Sequence, residues 1–396
     1  MYISNLFSQD KNIKEGTMKN IFKNLSPYKR RYIPIYIIMS ITFLLELILI
    51  FTFPTITHNI LVDPNNTSKK SGWPTRLSAP YIDMSSWVEP ISAYSLNGAP
   101  DLGKLCDESG FKYFNLGFIQ PDQNNPLETD GSIRWGWGGY YLLSEANQTN
   151  SQYQGIKQSL ANLKERGGDF TISIGGQAGD APWVVSQNQA NLENFYTEII
   201  ETYEIKRLDL DIEESNQDED QNIINAKAIK SVQDKTNIEI TLTIPIMPTG
   251  WEQKQIKLIN AYLDAGVDIT LINSMTMCYG DGVYSNEDYG TASVRAITNS
   301  ITQMKEIYSN HGIELTDDQA YLKTGATFSI GYESNLYPVF TLDMAKSVVN
   351  DAIKNNYGLV SMWSMGRDAQ LESNSAISTK YNYSKILQQY DKNSNN

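Results

Sequence analysis

Residues 208–214 read Leu-Asp-Leu-Asp-Ile-Glu-Glu, and three acids, Asp209, Asp211 and Glu213, occupy every second position. Successive side chains of a β-strand point to opposite faces, so a strand here turns all three acids one way and Leu208, Leu210 and Ile212 the other. Neighbouring acids then stand about 6–7 Å apart. Lining a buried strand with carboxylates costs stability. Like charges at that spacing do not all ionise at neutral pH, so the row holds protons. A carboxyl still protonated near neutrality is a general acid, the group that glycoside cleavage requires. The plainer alternative is a solvated strand face with chance alternation. The aliphatic side argues against it, because it has the character of a fully buried, central strand.

Composition narrows the chemistry further. The chain has 396 residues, 41% hydrophobic and 19% charged, enough for one large domain with a sizeable core. Its formal charge of -13 excludes a nucleic-acid binder, which needs a basic face, and fits neutral or cationic partners. Tyrosines number 24 and tryptophans 7, which suits stacking on sugar rings as well as packing. The two histidines, His58 and His311, supply neither a Ser-His-Asp triad nor a His-rich metal site. Cys106 and Cys278 lie far apart without metal spacing, so no disulfide framework follows.

A basic cluster, Lys29-Arg30-Arg31, precedes an almost wholly apolar run over residues 32–53, broken only by Glu46. About 20 such residues cross a hydrocarbon core. The positive-inside rule puts residues 1–31 in the cytoplasm. The run is either an uncleaved transmembrane anchor or a signal segment, and membrane association follows only if it is uncleaved. Residues 54–76, rich in Pro, Asn, Ser and Thr, form a linker. The remainder, 77–396, is then exported, extracellular or held at the cell surface, and expected to be a monomer.

The three acids need a frame that presents them at one end of a sheet. Strands are predicted over 79–84, 113–119, 169–175, 207–213, 238–244, 269–277, 322–329 and 359–364. Helices are predicted over 187–203, 221–233, 253–265, 292–308 and 342–355. Eight strands with crossover helices over about 310 residues define an α/β architecture, a (β/α)8 TIM barrel, with its active site at the C-terminal ends of the strands. No second domain and no internal repeat is visible.

Four strand ends then carry marked residues. The third ends Ser173-Ile174-Gly175-Gly176, and the fourth carries the acids. The sixth ends Met275-Thr276-Met277-Cys278-Tyr279-Gly280, and the eighth ends Met362-Trp363-Ser364, followed by Arg367-Asp368. Alone, Ser-Ile-Gly-Gly is as well explained by a tight turn, and Trp363 by core packing. Together the set resembles the family 18 glycoside hydrolases, the chitinases. Asp209-x-Asp211-x-Glu213 matches their D-x-D-x-E signature, Ser173-x-Gly175-Gly176 their S-x-G-G element, and Met362-Trp363-Ser364 the last strand of bacterial members. The first strand, Ala79-Pro80-Tyr81-Ile82-Asp83-Met84, also looks like theirs, so the resemblance covers about residues 77–390.

The resemblance implies retaining, substrate-assisted hydrolysis of β-1,4-linked N-acetylglucosamine, with no cofactor. Glu213 would protonate the leaving oxygen and the sugar's own 2-acetamido oxygen would attack the anomeric carbon. Asp211 would orient that acetamido group, and Asp209 would share a proton with Asp211. Trp363 would floor the subsite of the reacting sugar. Gly176, Met275, Met277 and Tyr279 would line it. The chain departs from the pattern at Cys278, where members usually carry Asp, and at Met277, where Tyr is frequent. Tyr279 and Asp281 are candidates to substitute. Lys206 replaces the first acid of the longer signature, and Glu214 stands where Gly is common.

Trp137 and Trp251, with Trp135 and Trp183, fall on predicted catalytic-side loops, where they either stack on sugar or pack within the loop. Tyr332 and Glu333 are candidate sugar hydrogen-bonders. The leading expectation is a chitinase acting on chitin or its oligosaccharides. The same acids also serve an endo-β-N-acetylglucosaminidase acting on glycoprotein glycans or peptidoglycan. A non-catalytic chitin-binding lectin is the reading from outside the enzymes; only Cys278 favours it, and the intact acid row opposes it.

Overall fold

A computed structural model describes residues 71–280, 287–333, 338–372 and 377–394. The first 70 residues, including the apolar run at 32–53 and most of the linker, lie outside the described residues, as does Asp281. Among the described residues no helix is long and apolar enough to cross a membrane.

Eight parallel strands close into a barrel: β1 (Tyr81–Asp83), β2 (Tyr113–Pro121), β3 (Asp169–Gly175), β4 (Arg207–Asp211), β5 (Glu239–Pro245), β6 (Ile269–Met275), β7 (Thr324–Ser329) and β8 (Leu359–Trp363). Each pairs with its sequence neighbour, and β8 returns to β1 through Trp363 opposite Tyr81. This is the expected (β/α)8 barrel. Parallel strands need crossovers, and these carry helices α1 (Leu102–Ser109), α2 (Ser151–Glu165), α3 (Gln189–Tyr203), α4 (Glu219–Thr236), α5 (Gln253–Asp264), α6 (Tyr289–Asn310) and α7 (Leu342–Asn355), while α8 (Asn382–Ser394) follows β8. The sequence pattern found five of them. It missed α1, which is short, α2, which carries Gly155 in its interior, and α8, whose outer face is strongly polar.

Local chemistry sets the helix starts. Asp101, Asn150, Asn188, Asp218, Asp288 and Thr341 each accept a backbone N–H of the first turn, of α1, α2, α3, α4, α6 and α7 respectively. The last residues assigned to the linker are part of the fold. Trp73 is buried, packs at a tilt against Tyr113 and donates its indole N–H to Asp169 at 2.8 Å, at the end of the barrel opposite the acids' end.

The barrel's walls tolerate nothing larger than hydrogen where β3 leaves the sheet. Gly175 has φ +108°, and a Cβ there would meet the Asp211 carbonyl oxygen at 2.2 Å. Its smallness therefore fixes how closely β3 and β4 approach at the level of the acids. Gly175→Ala is expected to cost at least about 2 kcal/mol in urea unfolding. Gly167→Ala has a similar positive φ but nothing within 4 Å, and should cost only about 1 kcal/mol. Equal losses would show that the approach to Asp211 is not what constrains residue 175.

Candidate active site

Strand β4 carries Asp209 and Asp211 on its inward face, with relative exposures of 1% and 4%, and ends two residues before Glu213. Asp209 is the anchor. Its Oδ2 accepts hydrogen bonds from Tyr81 (2.9 Å) and Ser173 (2.6 Å), and its Oδ1 from Thr243 (2.6 Å). Asn273 donates to the Tyr81 and Thr243 oxygens at 3.1 and 3.0 Å, and accepts from Thr327 at 2.9 Å. One connected network thus draws on β1, β3, β4, β5, β6 and β7. Asp211, one turn of the pleat higher, is different: its Oδ1 is buried with no protein partner.

Electrostatics follow from this packing. Burial raises Asp209 to about 6, held back by the three hydroxyls that bond its charged form. Burial, then the charges of Glu213 and Asp209, push Asp211 well above the carboxylate range. Burial, then Glu214 and Glu333, raise Glu213 to about 7. Burial thus raises the proton affinity of all three carboxyls, most of all that of Asp211.

Trp363 closes the floor from the end of β8. Its indole is half-buried and stacks on Phe118 at 5.6 Å between centroids, with planes 26° apart. The peptide bond between Trp363 and Ser364 is cis. Buried Arg367 lies 5.9 Å from the indole centroid and forms ion pairs with Glu333 (2.5 Å) and Glu372 (3.3 Å). Gly176, the last residue of the Ser-Ile-Gly-Gly element, has φ +89°, and a Cβ there would press the Phe118 ring at 3.0 Å. The glycine pair is thus explained by the close approach of a backbone carbonyl and an aromatic ring.

Other expectations fare differently. Met275 and Met277 are half-buried at the end of β6. Cys278 is exposed with φ +53°, and its thiol is pushed up to about 12 by desolvation, then by Glu333, with Glu213 adding to the rise. Tyr279 does not take over a sugar-facing position. It is buried, packs on Tyr289 and places its hydroxyl 3.4 Å from Ser293 of α6. Trp137 and Trp251 are corrected as well. Trp137 is fully buried, with its N–H bonded to Tyr203, and Trp251 is 3% exposed, with its N–H 3.2 Å from Ser274. Neither leaves a ring face for a sugar. Trp135 and Trp183 are buried in the same way. Glu333 is committed to Arg367, while Tyr332 is 41% exposed.

Phe118, the Tyr81–Thr243–Asn273–Thr327 network and the Glu372 partner of Arg367 were not foreseen from the sequence. The first two left a trace: polar residues at inward positions of otherwise apolar strands, and an aromatic at the end of β2.

A closed (β/α)8 barrel with a row of buried carboxyls at the C-terminal strand ends beside an aromatic ring defines a glycoside hydrolase barrel. No protein-family model matches the chain. It is 32% identical over 329 residues to a probable bifunctional chitinase/lysozyme of Escherichia coli, covering 78% of this chain and 33% of that protein. It is 30% identical over 327 residues to endochitinase 11 of Metarhizium anisopliae, covering 78% of this chain and 56% of the relative. The chain thus spans a third and just over half of these two. The catalytic domain of a Pyrococcus furiosus chitinase superposes with a TM-score of 0.66 at 24% identity, over 81% of this chain and 96% of that one. The chain belongs to glycoside hydrolase family 18.

Glu213 also makes a stability prediction. Its pKa is raised from 4.5 to about 7 in the folded state, so the fold holds a proton that the unfolded chain releases. That contribution is present below about pH 4.5 and lost as pH rises through 7. Glu213→Gln should match wild type in urea unfolding at pH 4 and exceed it by about 1–3 kcal/mol at pH 8. An unchanged difference between the two pH values would mean that Glu213 is not held protonated.

Proposed function

We propose that this protein hydrolyses β-1,4-linked N-acetylglucosamine chains, chitin and its oligosaccharides, by retaining, substrate-assisted chemistry. The observation that carries the reading is the row itself: Asp209 held by hydroxyls, Asp211 with a buried oxygen that no protein group reaches, and Glu213 raised to about 7 by burial, then by Glu214 and Glu333. Glu213 donates its proton to the bridging oxygen as the bond to the anomeric carbon breaks. The substrate's acetamido oxygen attacks that carbon from the opposite face; water then attacks the same carbon, the bond to the acetamido oxygen breaks, and Glu213, now a carboxylate, takes the water's proton. Asp211 receives the acetamido N–H on the oxygen that no protein group occupies. Asp209 stays fixed, so that a proton shared along the row resides on Asp211. Trp363, backed by Phe118, carries the apolar face of the reacting sugar, and Gly176, Met275 and Met277 complete the wall. The chitinase names of both relatives support the substrate class.

We further read residues 32–53 as the segment that exports the barrel, on the apolar run and its basic flank. The lysozyme half of the Escherichia coli relative's name points to peptidoglycan as a second substrate. The net charge of -13 favours the uncharged polymer over this anionic one.

The test is hydrolysis of a chromogenic chitobioside. Wild type should turn over and first release the β anomer by NMR, and Glu213→Gln should lose about 10²–10⁴-fold in kcat. Retention of more than a tenth of the rate would remove Glu213 from the role of acid. The pH profile supplies an independent measurement. The basic limb of kcat/KM should fall near pH 7, as Glu213 loses its proton. Glu214→Gln removes a negative charge that raises Glu213, so the limb should move to lower pH. A shift upward, or none, would contradict the assignment.

A further inference from the structure

Most tryptophans in this fold are sealed inside it, but Trp87 is 54% exposed. A single exposed aromatic is ordinary; the way this one is built is not. Its six-membered ring lies flat on Gly98, where a Cβ would meet indole carbons at 2.2–2.7 Å. Gly98 closes the two-residue Asn97-Gly98 turn, with φ +53° and +96°, between the short strands Ser95–Leu96 and Ala99–Pro100. The hairpin is itself seated on α2, where only a glycine at 155 clears the Leu96 carbonyl oxygen.

The segment carrying Trp87 is pinned on both sides. The Val88 N–H donates to the Gly98 carbonyl at 2.8 Å, and Ser95 Oγ to the Val88 carbonyl at 2.9 Å. On the other side, Asp83 at the end of β1 accepts from Ser85 N and Oγ at 2.8 and 2.6 Å and from Ser86 Oγ at 2.9 Å. One indole face is therefore fixed against backbone and the other is left to solvent. Trp87 follows Asp83 by four positions, so its backbone stands at most about 15 Å from the rim of the barrel. A second ring adjoins the same segment. Tyr140 is also 54% exposed, and Gly138 lies between its ring edge and Ser85 Oγ, which a Cβ there would approach to 3.1 and 2.5 Å.

We propose that Trp87, flanked by Tyr140, is a sugar-stacking shelf that binds an uncharged N-acetylglucosamine chain where it extends beyond the acid row. The inference rests on the proposed function and adds to it a site for distant sugar units. A pre-fixed ring loses little conformational freedom on contact, and its open face matches the apolar face of a pyranose. Continuity with the catalytic rim makes the glycan chain the occupant. The net charge of -13 disfavours an anionic one.

The test compares binding of chitohexaose and chitobiose by calorimetry in Glu213→Gln protein, with and without Trp87→Ala. The ratio of hexaose to chitobiose affinity should fall at least fivefold with Trp87→Ala, partly recover with Trp87→Phe and fall less with Tyr140→Ala. Ile91→Ala, at a residue 98% exposed nearby in sequence, should leave the ratio unchanged. A ratio unaltered by Trp87→Ala, or no hexaose binding at all, overturns the shelf. Chitobioside hydrolysis by wild type reports separately on the function. If hydrolysis is absent but the ratio responds to Trp87, the catalytic reading fails and the shelf stands.

Discussion

The site depends on one buried carboxylate and the three hydroxyls that hold it. Asp209 accepts from Tyr81, Ser173 and Thr243, which belong to three different strands. Through Asn273 on a fourth strand the same network reaches Thr327 on a fifth. An isolated charge in a barrel interior is costly, and hydrogen bonds to its ionised form are what offset the cost. The barrel thereby gains a fixed negative end to the acid row. Everything above Asp209 is positioned and titrated against it.

The row works because its members are held differently. Asp209 is satisfied on both oxygens, Asp211 has a buried oxygen that no protein group reaches, and Glu213 opens toward solvent. Burial raises all three, but the hydroxyls lower the first and neighbouring charges raise the other two. Proton affinity therefore differs from member to member and is highest at Asp211, set by burial, hydrogen bonds and neighbouring charges. Glu333 adds to the charge around Glu213, and Arg367 binds Glu333 while lying beside the Trp363 indole. One buried cation thus links the aromatic floor to the electrostatics of the acid.

Glycines are the complement of these side chains. Gly175 admits the Asp211 carbonyl, Gly176 admits the Phe118 ring and Gly98 admits the Trp87 indole. In each case the absent Cβ is where another group sits, so the smallness of the residue is a packing requirement as well as a conformational one.

Much of this was legible in the sequence. Alternation of acids with aliphatics fixed β4 and its facing, because side-chain direction along a strand depends only on the local backbone. The eight barrel strands and five helices followed from short-range periodicity, and the motif at four strand ends pointed to the family. Which aromatics meet solvent was decided by tertiary structure alone. Trp137 and Trp251 sit on catalytic-side segments, yet Tyr203 and Ser274, from distant parts of the chain, take their N–H groups and the fold covers their rings. Trp87, unmarked by any motif, is held open by a hairpin turn. Exposure of a ring is a property of what packs against it, and those partners come together only when the barrel closes.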